Sequence, residues 1–271
     1  MNKRKNFKEI LVSLLDNYLI KNEEDTIVEY LISNSNLPGP RGNLELANEL
    51  VEVITGYPIE DVERLWDLFL RLGKISSDEV AVNDPREFLS FCGVYVIGTI
   101  GSNNSEFFER SLIVLREVAN DTRWRMREAA SKGLQKLLVK HGQDTFRELN
   151  GWIGEDNWLE MRAVAAGIAE PSLLKDGQIA VKALELHKKI LAKVITSRER
   201  KSEEFKTLRK GLGYTLSVVI QAIPEEGFKY LRRLADPKDK DIQWIIRNNL
   251  KKTRLTKNFS IEVQSINELL R

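Results

Sequence analysis

The chain has 271 residues, 42% of them hydrophobic and 30% charged, with a net charge of +2. That length holds one large domain or two ordinary ones with a substantial core, and the composition is that of an ordinary globular protein. One cysteine, Cys92, excludes an intrachain disulfide framework, and no stretch of transmembrane length is free of charges.

The basic start, Met1 to Lys8, leads into an amphipathic helix rather than an apolar secretory run, so a cytoplasmic location is expected. Phe7, Ile10, Leu11, Leu14, Leu15, Tyr18 and Leu19 share one face of a helix over Phe7–Ile20. A second helix is predicted over Glu24–Ile32. The strongest breaker follows, Ser33 to Asn43, with two prolines around a glycine. It reads as a structural turn, or as a segment presenting backbone N–H groups and Arg41 to an anion. Asn43 caps a helix over Leu44–Thr55. Pro58 opens the next, Ile59–Leu72, and Gly73 closes it. Pro85 starts an apolar helix through Ile100, predicted to lie between layers.

From there helices alternate. Ser105–Ala119, Thr145–Trp152, Ile179–Ser197 and Glu226–Ala235 are expected as outer helices. Trp124–Val139, Trp158–Ala169, Phe205–Ile223 and Asp241–Arg254 are expected as inner ones. The tail, Thr256–Arg271, is expected to cap the open end.

Charge is unevenly spread. Residues 1–120 hold 12 Lys/Arg and 20 Asp/Glu, giving −8, and residues 121–271 hold 30 and 20, giving +10. The second half therefore suits an acidic partner, unless the charges are only solvated helix faces.

A spacing repeats along the chain. Asp121 is followed by Arg127 and Ala130, and 35 residues later Asp156 is followed by Arg162 and Ala165. Asp241, Arg247 and Leu250 form another copy, and Glu203, Arg209 and Leu212 a weaker one. Cys92 lies one period before Arg127, with Gly98 matching Gly133. An acid at a helix start accepts bonds from the first turn. An arginine further down would reach the acid of a neighbouring repeat, and a small residue beyond it would let helices approach. The pattern resembles HEAT-type repeats, which implies an all-α α-solenoid of two-helix repeats. The expected organisation is an N-terminal helical region over 1–84 packed on repeats over 85–271.

Metal and nucleophile chemistry find little support. His141 and His187 are far apart, Cys92 lies in an apolar run, and no phosphate-loop or dinucleotide glycine pattern appears. No cofactor and no metal are expected. The distinctive set is tryptophan with arginine: Arg123, Trp124, Arg125, Trp158, Arg162, Trp244 and Arg247. On a solenoid, equivalent positions line one surface. These side chains either hold a partner, including phosphates and stacked bases, or cover seams between repeats.

The segment Asp156-Asn-Trp-Leu-Glu-Met-Arg162 also resembles the HEAT-like DNA alkylation-repair glycosylases. That resemblance implies a concave basic surface for DNA, with its arginine on Arg162 and its tryptophan on or next to Arg123, with Trp124 adjacent. The family's catalytic carboxylate would fall on Arg127, and a guanidinium cannot stabilise a developing cation. The leading expectation is thus a non-catalytic binding or scaffold module for a protein or other acidic partner, without membrane contact. The alternative is a DNA-binding protein or glycosylase of that type.

Overall fold

A computed structural model describes residues 3–235 and 239–270, with side chains from residue 7 onward. Met1 and Asn2 of the basic start, and Arg271 of the tail, lie outside the described residues. Among the described residues every regular element is a helix, so the protein is all-α. It divides into two compact units, Met1–Lys140 and His141–Arg271. The division falls inside the stretch expected to carry repeats.

The first unit holds α1 (Lys3–Lys21), α2 (Asp25–Ser33), α3 (Leu44–Ile54), α4 (Ile59–Gly73), α5 (Glu87–Asn103), α6 (Phe108–Ala119) and α7 (Trp124–Lys140). Capping follows the sequence. Asn43 accepts the backbone N–H of Leu46 at 3.1 Å and starts α3. In α4, Glu60 and Asp61 occupy the first turn and Arg71 the last, matching the helix dipole. Val62, Leu65, Trp66, Phe69 and Leu72, at helical intervals, are buried.

Helix α5 is the hub of this unit and packs against α2, α3, α4, α6 and α7. Its residues from Glu87 to Ser102 are all buried, which explains an apolar content without a polar stripe. Two glycine pairs let it approach its neighbours at backbone distance. A Cβ on Gly93 would stand 2.5 Å from the Gly73 nitrogen, and one on Gly98 would stand 2.3 Å from the Gly133 Cα. Gly98 and Gly133, equivalent in the repeat spacing, are therefore in contact with each other.

The second unit holds α8 (Gly142–Gly154), α9 (Trp158–Ile168), α10 (Gly177–Thr196), α11 (Glu203–Ala222), α12 (Pro224–Ala235), α13 (Lys240–Leu250), α14 (Thr253–Thr256) and α15 (Ser260–Leu269). Helices α9, α11 and α13 form an inner row, each against the next. α8 covers α9 and touches α10, α12 packs on α11 and α13, and α15 closes on α12, α13 and α14. The hub here is α11.

Three local expectations change. Pro224 does more than end α11: it is the first residue of α12, where its missing N–H is not needed. The helix expected over Asp241–Arg254 stops at Leu250, and α14 begins after an extended Lys252. The residues that cap the inner helices of this unit also differ from the repeat acids. Asn157, Ser202 and Asp239 cap α9, α11 and α13; Asn157 follows its acid by one residue, and Ser202 and Asp239 precede theirs by one and two. Those positions have the extended backbone that a cap needs, whereas Asp156 sits at φ 57° in the left-handed region.

Candidate binding site

Successive residues at the start of a helix point about 100° apart, so the run Arg123-Trp124-Arg125 at the start of α7 divides its side chains between core and solvent. Arg123 goes inward and is 2% exposed. The Asp121 carboxylate takes its Nε at 3.0 Å and its Nη2 at 2.7 Å, a bidentate pair. Nη2 also donates to the Ile75 carbonyl at 2.8 Å, tying the connection after α4 to the start of α7.

Arg125 is likewise buried, and it joins three segments. Its Nη1 donates to Glu87 Oε2 at 2.9 Å, at the start of α5. Its Nη2 donates to the Gly39 carbonyl at 2.7 Å and to Asn83 Oδ1 at 3.2 Å. Glu87 Oε2 accepts the Asn83 backbone N–H as well, at 2.8 Å. A buried carboxylate is tolerated here because a buried guanidinium and a backbone donor face it. Neither Glu87 nor Asn83 was singled out by sequence reasoning. The available signal was an acid directly before the apolar run of α5.

Trp124 turns the other way. Its ring lies over the Arg125 guanidinium at 4.5 Å and remains 46% exposed. Next to it is the proline-glycine loop. This loop is internally bonded: Ser35 accepts the Asn43 N–H at its carbonyl and the Leu37 N–H at its hydroxyl, and Asn43 Nδ2 donates to the Asn34 carbonyl. A Cβ on Gly42 would stand 3.2 Å from Phe88, so glycine lets the loop lie against α5. Between loop, α5 and α7 opens a cavity of about 230 Å³, lined by Arg41, Leu44, Phe88, Phe91, Trp124 and Arg125 among others. Phe88 and Phe91 stack with centroids 6.3 Å apart. The Arg41 side chain is exposed and has no hydrogen-bond or ion-pair partner among the described residues.

The other tryptophans and arginines of the set lie in the second unit. Trp158, on α9, meets Phe205 of α11 edge-on at 5.4 Å. Trp244, on α13, lies against Gly213 of α11 and beneath the Arg209 guanidinium, 4.7 Å from its ring centroid. Arg209 also reaches Asp241 at 2.5 Å, an arginine on one inner helix bonded to the repeat acid of the next. Arg162, half-buried, lies beside Gly211. Arg247 donates to the Leu270 carbonyl at 2.6 Å and to Gln243, tying α13 to the chain after α15. Arg127, in the first unit, turns back to the carbonyls of Asp121 and Thr122, at 2.7 and 2.8 Å. The expected reach to a neighbouring acid is thus seen at Arg209.

His187 is fully buried, with Nδ1 at 2.9 Å from the Ala183 carbonyl and Nε2 at 3.0 Å from the Thr215 hydroxyl. Burial pushes its pKa down to about 4. Burial also raises the Cys92 thiol pKa well above the ordinary range. Among the described residues no group of three His, Cys, Asp or Glu side chains is placed to hold a metal ion, and no helix is long and apolar enough to cross a membrane.

No family model and no curated protein matches the sequence. Among solved structures, an engineered protein is similar at 13% identity, with 88% of this chain and 98% of that chain covered and a TM-score of 0.32. A designed armadillo repeat protein in complex with the peptide (KR)4 is similar at 15% identity, with 90% and 99% covered and a TM-score of 0.30. The all-α class rests on the chain's own helices, and the stacked row of α9, α11 and α13 is seen in its own contacts.

Proposed function

We propose that this protein is a non-catalytic binding module for an acidic protein partner. The observation that supports this reading best is in the second unit. Lys251, Lys252, Arg254 and Lys257 fall within seven residues around α14, all exposed or half-exposed, and none has an ion-pair partner among the described residues. Like charges held this close repel one another unless an acidic surface neutralises them. The unit as a whole carries 24 Lys/Arg against 18 Asp/Glu, a net +6. The free buried Cys92 thiol fits a reducing, cytoplasmic setting for such a module.

The same cations would suit phosphates, which is the substance of the DNA-binding alternative. The aromatic geometry favours protein. Trp158 and Trp244 are spent on Phe205, Gly213 and Arg209, so they offer no open row of rings for bases.

Titration of the full chain with polyglutamate and with duplex DNA, with and without an alkylated base, over a salt series tests the reading. Polyglutamate should bind, weaken as salt rises, and lose about tenfold in affinity in the triple variant Lys251→Glu, Lys252→Glu, Arg254→Glu. Release of an alkylated base, or duplex binding that far exceeds polyglutamate binding, would move the protein to the nucleic-acid reading.

A further inference from the structure

We propose that the groove around Trp124 docks an extended segment of a partner protein. The segment inserts one aromatic or large aliphatic side chain into the Phe88–Phe91 cavity and sets an adjacent carboxylate against Arg41. This proposal rests on the binding-module reading and adds a site to it, together with the chemistry of the occupant.

Size comes first. Sites for small organic ligands occupy roughly 300–1,000 Å³, and the cavity has about 230 Å³. It is sized for a single side chain. Its surface is mostly apolar, from Phe88, Phe91, Leu44 and the Trp124 ring, with Arg41, Arg125 and Glu128 as the charged residues of the lining.

Shape comes second. A shallower depression of about 580 Å³ adjoins the cavity and shares Pro40, Trp124 and Arg125 with it. It continues past Pro38, Val82 and Asn83. A cavity for one side chain opening into a shallow trough suits a main chain lying along the trough with a side chain turned inward. Exposed apolar groups gather here rather than scatter: Leu44 is 40%, Trp124 46% and Val82 53% exposed.

Rigidity comes third. Trp124 rests on a guanidinium that is itself held by Glu87, Gly39 and Asn83. Neither wall must be ordered on binding, which removes a cost that weakens most peptide complexes. Such fixed, half-open tryptophans are favoured anchors at interfaces.

Polarity comes last. Arg41 on the rim is a donor with no partner among the described residues. Asn83 lines the trough; its carboxamide spends its oxygen on Gly39 N–H and Arg125, and its NH2 group has no hydrogen-bond partner among the described residues. Unfilled donors beside an apolar hole call for a ligand rich in acceptors, such as a peptide backbone with a carboxylate.

A displayed library of random peptides about ten residues long, selected on the full-length protein, provides the test. Enriched peptides should share an aromatic residue or leucine next to aspartate or glutamate. Their affinity should fall about tenfold or more in Trp124→Ala and in Arg41→Glu. Arg41→Glu changes an exposed, unpaired residue and leaves the fold intact, which circular dichroism verifies. Selected peptides that are basic, or that bind both variants unchanged, would overturn the proposal. So would a saturable complex with indole-3-acetate in the absence of any selected peptide, since the occupant would then be a small molecule. Polyglutamate binding that responds only to the Lys251, Lys252 and Arg254 changes, alongside peptides indifferent to Trp124 and Arg41, would remove this groove and leave the binding-module reading standing.

Discussion

In the Met1–Lys140 unit the hub helix α5 meets its neighbours backbone to backbone, at Gly73–Gly93 and Gly98–Gly133, and the polar contact at its first turn is a buried ion pair. In the His141–Arg271 unit the hub helix α11 is joined to its neighbours by side chains. Asn249 of α13 donates to the Leu212 carbonyl at 2.7 Å and accepts the Ser217 N–H at 2.7 Å. Arg209 bridges to Asp241, and His187 of α10 reaches Thr215. The charge differs too: 18 Lys/Arg against 22 Asp/Glu in the first unit, a net −4, and +6 in the second. The same packing problem is thus solved once by removing side chains and once by matching them. The first solution demands shape, and the second demands complementary polar groups in register.

The difference can be broken from either side, and urea unfolding of the full chain reads each change. Glu87→Ala should do the most damage, about 4 kcal/mol, because it strands the Arg125 guanidinium in a dry site. Gly98→Ala should cost about 3 kcal/mol. The added methyl would meet Gly133 backbone 2.3 Å away, with no flexible side chain to yield. A loss below 1 kcal/mol, on the order of a surface change, would mean that α5 and α7 can slide apart.

In the second unit His187 makes stability depend on pH. Its folded pKa of about 4 lies below the ordinary 6.5. The unfolded chain therefore binds the proton more readily between these values. Stability is full above pH 6.5 and falls as the pH drops toward 4, by about 3 kcal/mol in all. His187→Gln should flatten that part of the profile relative to the parent protein.

Asn249→Ala should cost about 2 kcal/mol, because the Ser217 N–H and the Leu212 carbonyl lose a buried partner. The smallest effect belongs to Asp241→Asn, below about 1 kcal/mol and shrinking in high salt, since the pair with Arg209 is partly solvated. If Asp241→Asn outweighed Asn249→Ala, the second unit would depend on charge rather than on hydrogen bonding.

Most of the fold was legible, because its signals are local. Apolar spacing, Asn43 and Pro58 placed α3 and α4 within a residue or two, and the glycine spacing between Gly98 and Gly133 marked a true contact. The candidate site was legible only in part. Trp124 and Arg125 stood out as a pair, and the Pro38–Arg41 loop stood out as a breaker. That they share one cavity depends on Glu87 and Asn83, brought in by tertiary packing from a helix start and a turn of ordinary composition. Exposure was equally invisible. Arg123 and Trp124 are adjacent in sequence, yet one is sealed beneath Ile75 and the other stands open, a matter of helix phase set by the neighbours.

Cys92 sits on α5, enclosed by the rest of its unit and without charge of its own. A thiol reagent can reach it only while that helix is transiently uncovered. The chain therefore carries a built-in clock for breathing motions: labelling speed would register how often the glycine-lined seams part, with no probe added and no surface altered.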